Sequence, residues 1–178
     1  MLLKFARIRE VSAPTRGHPT DAGIDFYMPK ITDELIPILT KGRTVVIGTH
    51  VNHTEDGKDK HYIVIKPGCN VPIPSGIKVE IPYGYMGLFL NKSGVASKKN
   101  LVIGAQVIDT FYSGEVHVDL HNIGTEEVRI YEEDKLAQMV LVPILGCDLL
   151  GVEENELYSW MKQNEFRDEG GFGSTDKK

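Results

Sequence analysis

The feature that most constrains this chain is its rhythm: short runs rich in Val, Ile, Tyr and Thr recur along it, cut by Pro-Gly, Asp-Gly and Ser-Gly steps. Such runs fall at 44–47, 61–66, 76–81, 87–90, 115–121 and 139–144. β-branched and aromatic residues suit a pleated, half-buried surface, and many short strands closed by turn residues point to a β-sandwich, jelly roll or barrel. Alternation is cleanest at 115–121, where Val116, Val118 and Leu120 should face a core while His117, Asp119 and His121 share a polar face. One segment departs from the habit. Residues 153–163 lack Gly and Pro and set Leu157, Tyr158 and Met161 on one helical face, which predicts a short helix. With 178 residues, 41% of them hydrophobic, the chain is long enough to bury one core without staples.

Charge narrows the partners. A formal charge of −5 offers no broad basic field for a nucleic acid polymer, so an anionic ligand needs a local pocket of cations or a metal. Cys69 and Cys147 lie far apart without metal-ligand spacing, which fits a reducing compartment. The apolar start, Leu2, Leu3 and Phe5, is too short for a signal peptide. The most apolar stretch, 136–152, is broken by Gln138, Pro143 and Asp148, so no membrane span is expected. The expected setting is cytoplasmic.

Two stretches read as loops. Residues 51–60 form a hairpin tip whose neighbourhood carries His50, His53, Glu55, Asp56, Asp59 and His61; a solvated loop is the plainer reading and a metal site the sharper one. At the other end, 169–178 holds three closely spaced glycines around Phe172, with too little apolar surface to offset the entropy of ordering, and reads as a mobile arm. A lone aromatic among glycines suggests that the arm has a task.

Three constellations carry chemistry. Asn91-Lys92-Ser93-Gly94-Val95-Ala96 follows a strand run and offers a cation, a hydroxyl and free N–H donors to a phosphate. Val107-Ile108-Asp109-Thr110-Phe111-Tyr112-Ser113-Gly114-Glu115 places a carboxylate at a strand-to-turn boundary, where it either caps the turn or activates water. The tail combines Arg167, Ser174 and Thr175 with Phe172: phosphate donors beside a stacking surface.

In this order, and with Asp21-Ala22-Gly23-Ile24-Asp25 before them and Asp134-Lys135-Leu136-Ala137-Gln138 between the last two, these segments resemble the five motifs of the trimeric dUTP diphosphatase family. The resemblance spans nearly the whole chain, with 34–62 as an inserted segment of the kind familiar among phage members. It implies a mainly β, distorted jelly-roll barrel: one domain over 1–165, a short helix near its end, and an arm over 166–178 that closes the active site. It also implies hydrolysis of dUTP to dUMP and pyrophosphate by a homotrimer, supplying dUMP and keeping uracil out of DNA.

The residue roles follow from the same resemblance. Asp109 would be the base for the attacking water, and Tyr112 would lie against the deoxyribose and exclude a 2′-hydroxyl. Gly104, Gln106, Val107 and Ile108 would read uracil through backbone groups. Lys92, Ser93, Gly94 and Gln138 would hold the α- and β-phosphates. Phe172 would stack on the base while Arg167, Gly173, Ser174 and Thr175 close over the γ-phosphate. Mg²⁺ would ride on the triphosphate, with Asp25 acting on it through water.

The chain departs from the family pattern at four positions. Lys92 stands for an Arg and keeps the charge without the bidentate fork. Gln106 and Asp168 each stand for a glycine. Asp119 occupies a position like that of the catalytic carboxylate in the related dCTP deaminases, which keeps a deaminase or bifunctional enzyme as the second reading. A third reading is a regulator of this fold that contacts another protein through 34–62.

Overall fold

The computed structural model describes residues 2–42, 45–50 and 60–159. Among them the chain is mainly β. Its strands are β1 (Lys4–Arg7), β2 (Ile24–Tyr27), β3 (Val46–His50), β4 (Lys60–Ile65), β5 (Asn70–Pro74) and β6 (Ile77–Glu80), then β7 (Tyr85–Leu90), β8 (Leu101–Ile103), β9 (Val107–Ile108), β10 (His117–Asn122), β11 (Val128–Tyr131) and β12 (Lys135–Pro143). Two short helices interrupt them, α1 (Ile36–Thr40) and α2 (Ser93–Lys99). All the pairings are antiparallel, in four sheets ordered β1-β6, β5-β10-β8, β11-β4-β3 and β2-β12-β7-β9. The strand rhythm is thus met by a mainly β architecture of separate small sheets around one core, consistent with the jelly roll that the resemblance implies.

The core follows from the alternation. Val116, Val118 and Leu120 are fully buried, as their spacing predicts, and pack with Ile63, Ile73, Leu101 and Leu136. Phe26 on β2 meets Phe89 on β7 edge-to-face, with ring centroids 5.0 Å apart, which ties together two strands separated by β12. The segment 34–62 is more than a surface addition. Leu35 and Leu39, at the head of α1 and within it, are fully buried in the same core, while β3 forms the edge of its sheet by pairing with β4. The tip of that hairpin, 51–59, lies outside the described residues.

The chain divides into two compact units, Met1–Leu145 and Gly146–Lys178. In the second, only residues 146–159 are described, and they carry a single 3₁₀ turn, Glu154–Glu156. The helix expected over 153–163 is therefore not formed in its described part: Leu157 is extended and Tyr158 sits at φ 59°. Leu157 and Tyr158 are 52% and 57% exposed, so neither gives a buried face to a helix too short to persist on propensity alone. Residues 160–163 of that expectation are outside the described residues. No helix among the described residues is long and apolar enough to cross a membrane.

Candidate active site

Three adjacent strands build one cluster. On β12, Gln138 stands opposite Asp25 of β2 on one side and Leu90 of β7 on the other, so these residues form a row across the sheet. Gln138 Nε2 donates to the Asn91 carbonyl (2.9 Å), fixing the turn that leads from β7 into α2. A Cβ at Gly23 would sit 2.1 Å from Gln138 Oε1, so a larger residue there would displace that amide. Lys92 caps α2, and Ser93 and Gly94 open its first turn, exposed, with N–H groups that a helix start leaves without intrahelical acceptors.

Asp25 is the electrostatic centre of this cluster. Only 4% exposed, it accepts hydrogen bonds from Lys92 Nζ (2.5 Å) and Lys135 Nζ (2.8 Å). Burial opposes its ionisation, but the bonds from Lys135 and Lys92 outweigh that and hold the carboxyl below its ordinary range. Lys135 is raised in turn by the same bond. The sequence names Lys92 and Asp25 as site residues. It gives no warning of Lys135 as their partner, because that contact depends on the pairing of β2 with β12.

A second cluster surrounds Asp109. β9 pairs with β7 through Leu88↔Val107 and Gly87↔Ile108, and Asp109 begins the turn that follows, closed by Tyr112 N–H donating to its carbonyl (3.1 Å). Thr110 Oγ1 donates to the Tyr85 carbonyl (2.7 Å) and pins the turn to β7. The Asp109 carboxylate is exposed and makes no hydrogen bond among the described residues. Tyr112 is aimed by its hydroxyl, which donates to the Glu115 carbonyl (2.9 Å). Below it, Glu115 accepts both Arg9 Nε (2.8 Å) and Nη2 (2.9 Å) and also the Gly76 N–H (2.7 Å). Burial opposes ionisation of Glu115, and the Arg9 fork more than compensates, lowering its pKa. Arg9 lies 106 residues away in sequence and was not legible as part of the site.

Between the two clusters runs the hairpin of Gly104, Gln106, Val107 and Ile108. Gln106 presents its carbonyl to the Phe89 N–H (2.8 Å), and its side chain turns back to donate to the Ile103 carbonyl (3.4 Å). Asp119, read from sequence as part of a polar face, lies directly beneath this hairpin and is bonded to Asn70 and His121 (2.8 Å each). Burial raises its pKa, but those bonds, with the Ala105 N–H, lower it overall. Its carboxylate is thus occupied by donors, unlike the open carboxylate of Asp109.

The two clusters do not meet within one chain. Asp109 follows Ile108, which pairs with Gly87 three residues along β7 from the row of Leu90, and β9 and β2 are the outer strands of a four-stranded sheet. Four residues and three strand spacings separate Asp109 from Asp25 by about 20 Å. Arg167, Phe172, Gly173, Ser174 and Thr175 lie outside the described residues. Among the described residues, no group of three or more His, Cys, Asp or Glu side chains is placed to hold a metal.

The family model for dUTPase matches residues 56–176. A deoxyuridine 5′-triphosphate nucleotidohydrolase of Corynebacterium jeikeium is 30% identical over 177 residues, covering 97% of this chain and 92% of that protein. One from a Hydrogenobaculum species is 39% identical over 118 residues, covering 65% of this chain and 77% of that protein. Among solved structures, the dUTPase from phage phi11 of S. aureus superposes with a TM-score of 0.65 at 26% identity, covering 89% of this chain and all of that one. The family model, the curated relatives and the fold agree, and the chain belongs to the dUTPase family.

Proposed function

We propose that this protein hydrolyses dUTP to dUMP and pyrophosphate, as a cytoplasmic homotrimer whose sites are shared between chains. The observation that carries the reading is the row Asp25–Gln138–Leu90 leading into Lys92-Ser93-Gly94. It gathers a cation, an amide and exposed N–H donors at one sheet end, a composition suited to a polyphosphate. Asp109, exposed and without a hydrogen-bond partner among the described residues, is suited to take a proton from water attacking the α-phosphorus. The bond from that phosphorus to the bridging oxygen breaks, pyrophosphate leaves, and the water proton passes to the carboxylate. Tyr112 lies against the sugar and the 104–108 backbone reads the base. The closing role over base and γ-phosphate expected of Arg167, Phe172, Gly173, Ser174 and Thr175 falls outside the described residues.

A base and the phosphate ligands must both reach the α-phosphate, whereas Asp109 and Asp25 are about 20 Å apart in one chain. That separation supports a site in which Asp109 comes from one chain and the Asp25 cluster from its neighbour.

The protein side chains fit Mg²⁺ only at one remove. Both Asp25 oxygens already face ammonium groups, so Asp25 would bind the waters of a metal carried by the triphosphate. When bound there, the metal neutralises charge developing on the phosphates. A solved dUTPase of the same S. aureus phage is described as coordinating a structural Mg(II) ion.

The test is chromatography of products from each nucleotide with Mg²⁺. dUTP should yield dUMP and pyrophosphate while dTTP, dCTP and UTP stay nearly intact. Equal turnover of all four would overturn the assignment, and ammonia release from dCTP would replace it with a deaminase.

A further inference from the structure

The hairpin 104–108 is poorly supported by its own strand pairing. β9 is two residues long, and Gly104, Ala105, Gln106 and Val107 are all exposed. On the side away from β7, its support comes from β10. Gly104 N–H donates to the Asp119 carbonyl (2.9 Å), and the Ala105 N–H faces the Asp119 carboxylate. The contact is close enough that a Cβ at Gly104 would lie 2.3 Å from both Asp119 Oδ2 and His121 Nε2. Asp119 is itself braced from two strands. Asn70 Nδ2 on β5 donates to Oδ1 and His121 Nε2 on β10 bonds to Oδ2, at 2.8 Å each.

We propose that Asp119, braced by Asn70 and His121, is a positioning residue that holds the 104–108 backbone in register with the base and so sets the preference for uracil over cytosine. The inference rests on the dUTPase reading above. Uracil and cytosine differ in the direction of hydrogen bonds on one edge, so a backbone reader separates them only if its N–H and C=O groups cannot shift to suit either. Two strand pairings cannot hold such a turn rigid, whereas a carboxylate receiving several donors can. Asp119 touches no reacting atom in this arrangement. Its loss weakens recognition of the base equally in the ground and transition states, which raises KM and leaves kcat.

The experiment compares dUTP and dCTP kinetics of the full-length protein with those of Asp119→Ala, Asp119→Asn and Asn70→Ala. Asp119→Ala should raise KM for dUTP about tenfold, keep kcat within about threefold, and lower the dUTP-over-dCTP preference in kcat/KM about tenfold. Asp119→Asn, which keeps an acceptor, should recover most of both. Asn70→Ala should shift KM and preference the same way by a smaller factor, and it carries the test if Asp119→Ala fails to fold. Unchanged KM and preference in folded variants would overturn the proposal. So would a large kcat loss at constant KM, which would make Asp119 part of the chemistry. A parent protein inactive on dUTP would instead overturn the functional reading on which the proposal stands.

Discussion

At the scale of single residues, two carboxylates with similar sequence credentials have opposite surroundings. Asp109 ends a strand, lies exposed and has no partner among the described residues, as a proton acceptor for water requires. Asp119 is tied to Asn70 and His121 and stays ionised. Asp109→Asn keeps the shape and removes the base, so kcat should fall at least roughly 10²-fold with KM little changed. A near-normal kcat, measured at saturating dUTP, would reduce Asp109 to a turn residue. Asp109, Lys92 and Gln138 were legible because motif order marks them, whereas the contacts of Lys135 and Asn91, which lie in the same motifs, and any part for Arg9 were not. Their contacts are set by which strands pair, and a side chain's partner across a sheet leaves no trace in local sequence. The replacement of Arg by Lys at 92 also gains a physical reading. A point charge suffices to meet one oxygen of Asp25 while Lys135 meets the other.

Among the elements, the strands were legible and the late helix was not. Alternation at 115–121 predicts burial because one face of β10 enters the core, and Val116, Val118 and Leu120 are all fully buried. The apolar spacing at 153–163 gave the same kind of signal, yet its described part, 153–159, carries only the 3₁₀ turn Glu154–Glu156, with Leu157 and Tyr158 exposed. The head of 34–62, read as an inserted segment, also contributes Leu35 and Leu39 to the core. The turn carrying Asp109 and Tyr112 is anchored by Arg9, Glu115 and Gly76. Removing one partner of such a largely buried pair strands the other charge, so Arg9→Ala should cost about 2–4 kcal/mol, read as a lower unfolding midpoint at fixed protein concentration. Acid should do something similar. Asp25, Glu115 and Asp119 all have folded pKa values below their ordinary ones, so each adds stability above the unfolded values of about 3.9 for Asp and 4.3 for Glu. That stability should be complete at neutral pH and be lost as pH falls below about 4 through the lowered folded values. Arg9→Ala should flatten this acid limb; an unaltered limb would mean that Glu115 is not held by the pair.

For the whole molecule, the proposed shared site turns on the separation of the Asp25 and Asp109 clusters, which do not meet within one chain. The strand order β2-β12-β7-β9 sets Asp25 and Asp109 on opposite edges of the same sheet, and the register along β7 sets them at opposite ends. Closed symmetry resolves this, because a rotation that brings one chain's Asp109 edge to its neighbour's Asp25 edge repeats the same site around the ring. The most direct measurement mixes two inactive variants, Asp109→Asn and Lys92→Ala, unfolds them together, refolds them, and reads dUTP hydrolysis beside native mass. Mixed three-chain species should appear, and random mixing should leave about one site in four with an intact Asp109 from one chain and an intact Lys92 from the next, restoring about a quarter of parental activity. No recovery in demonstrably mixed assemblies, or monomers alone in the mass spectrum, would contradict a shared site.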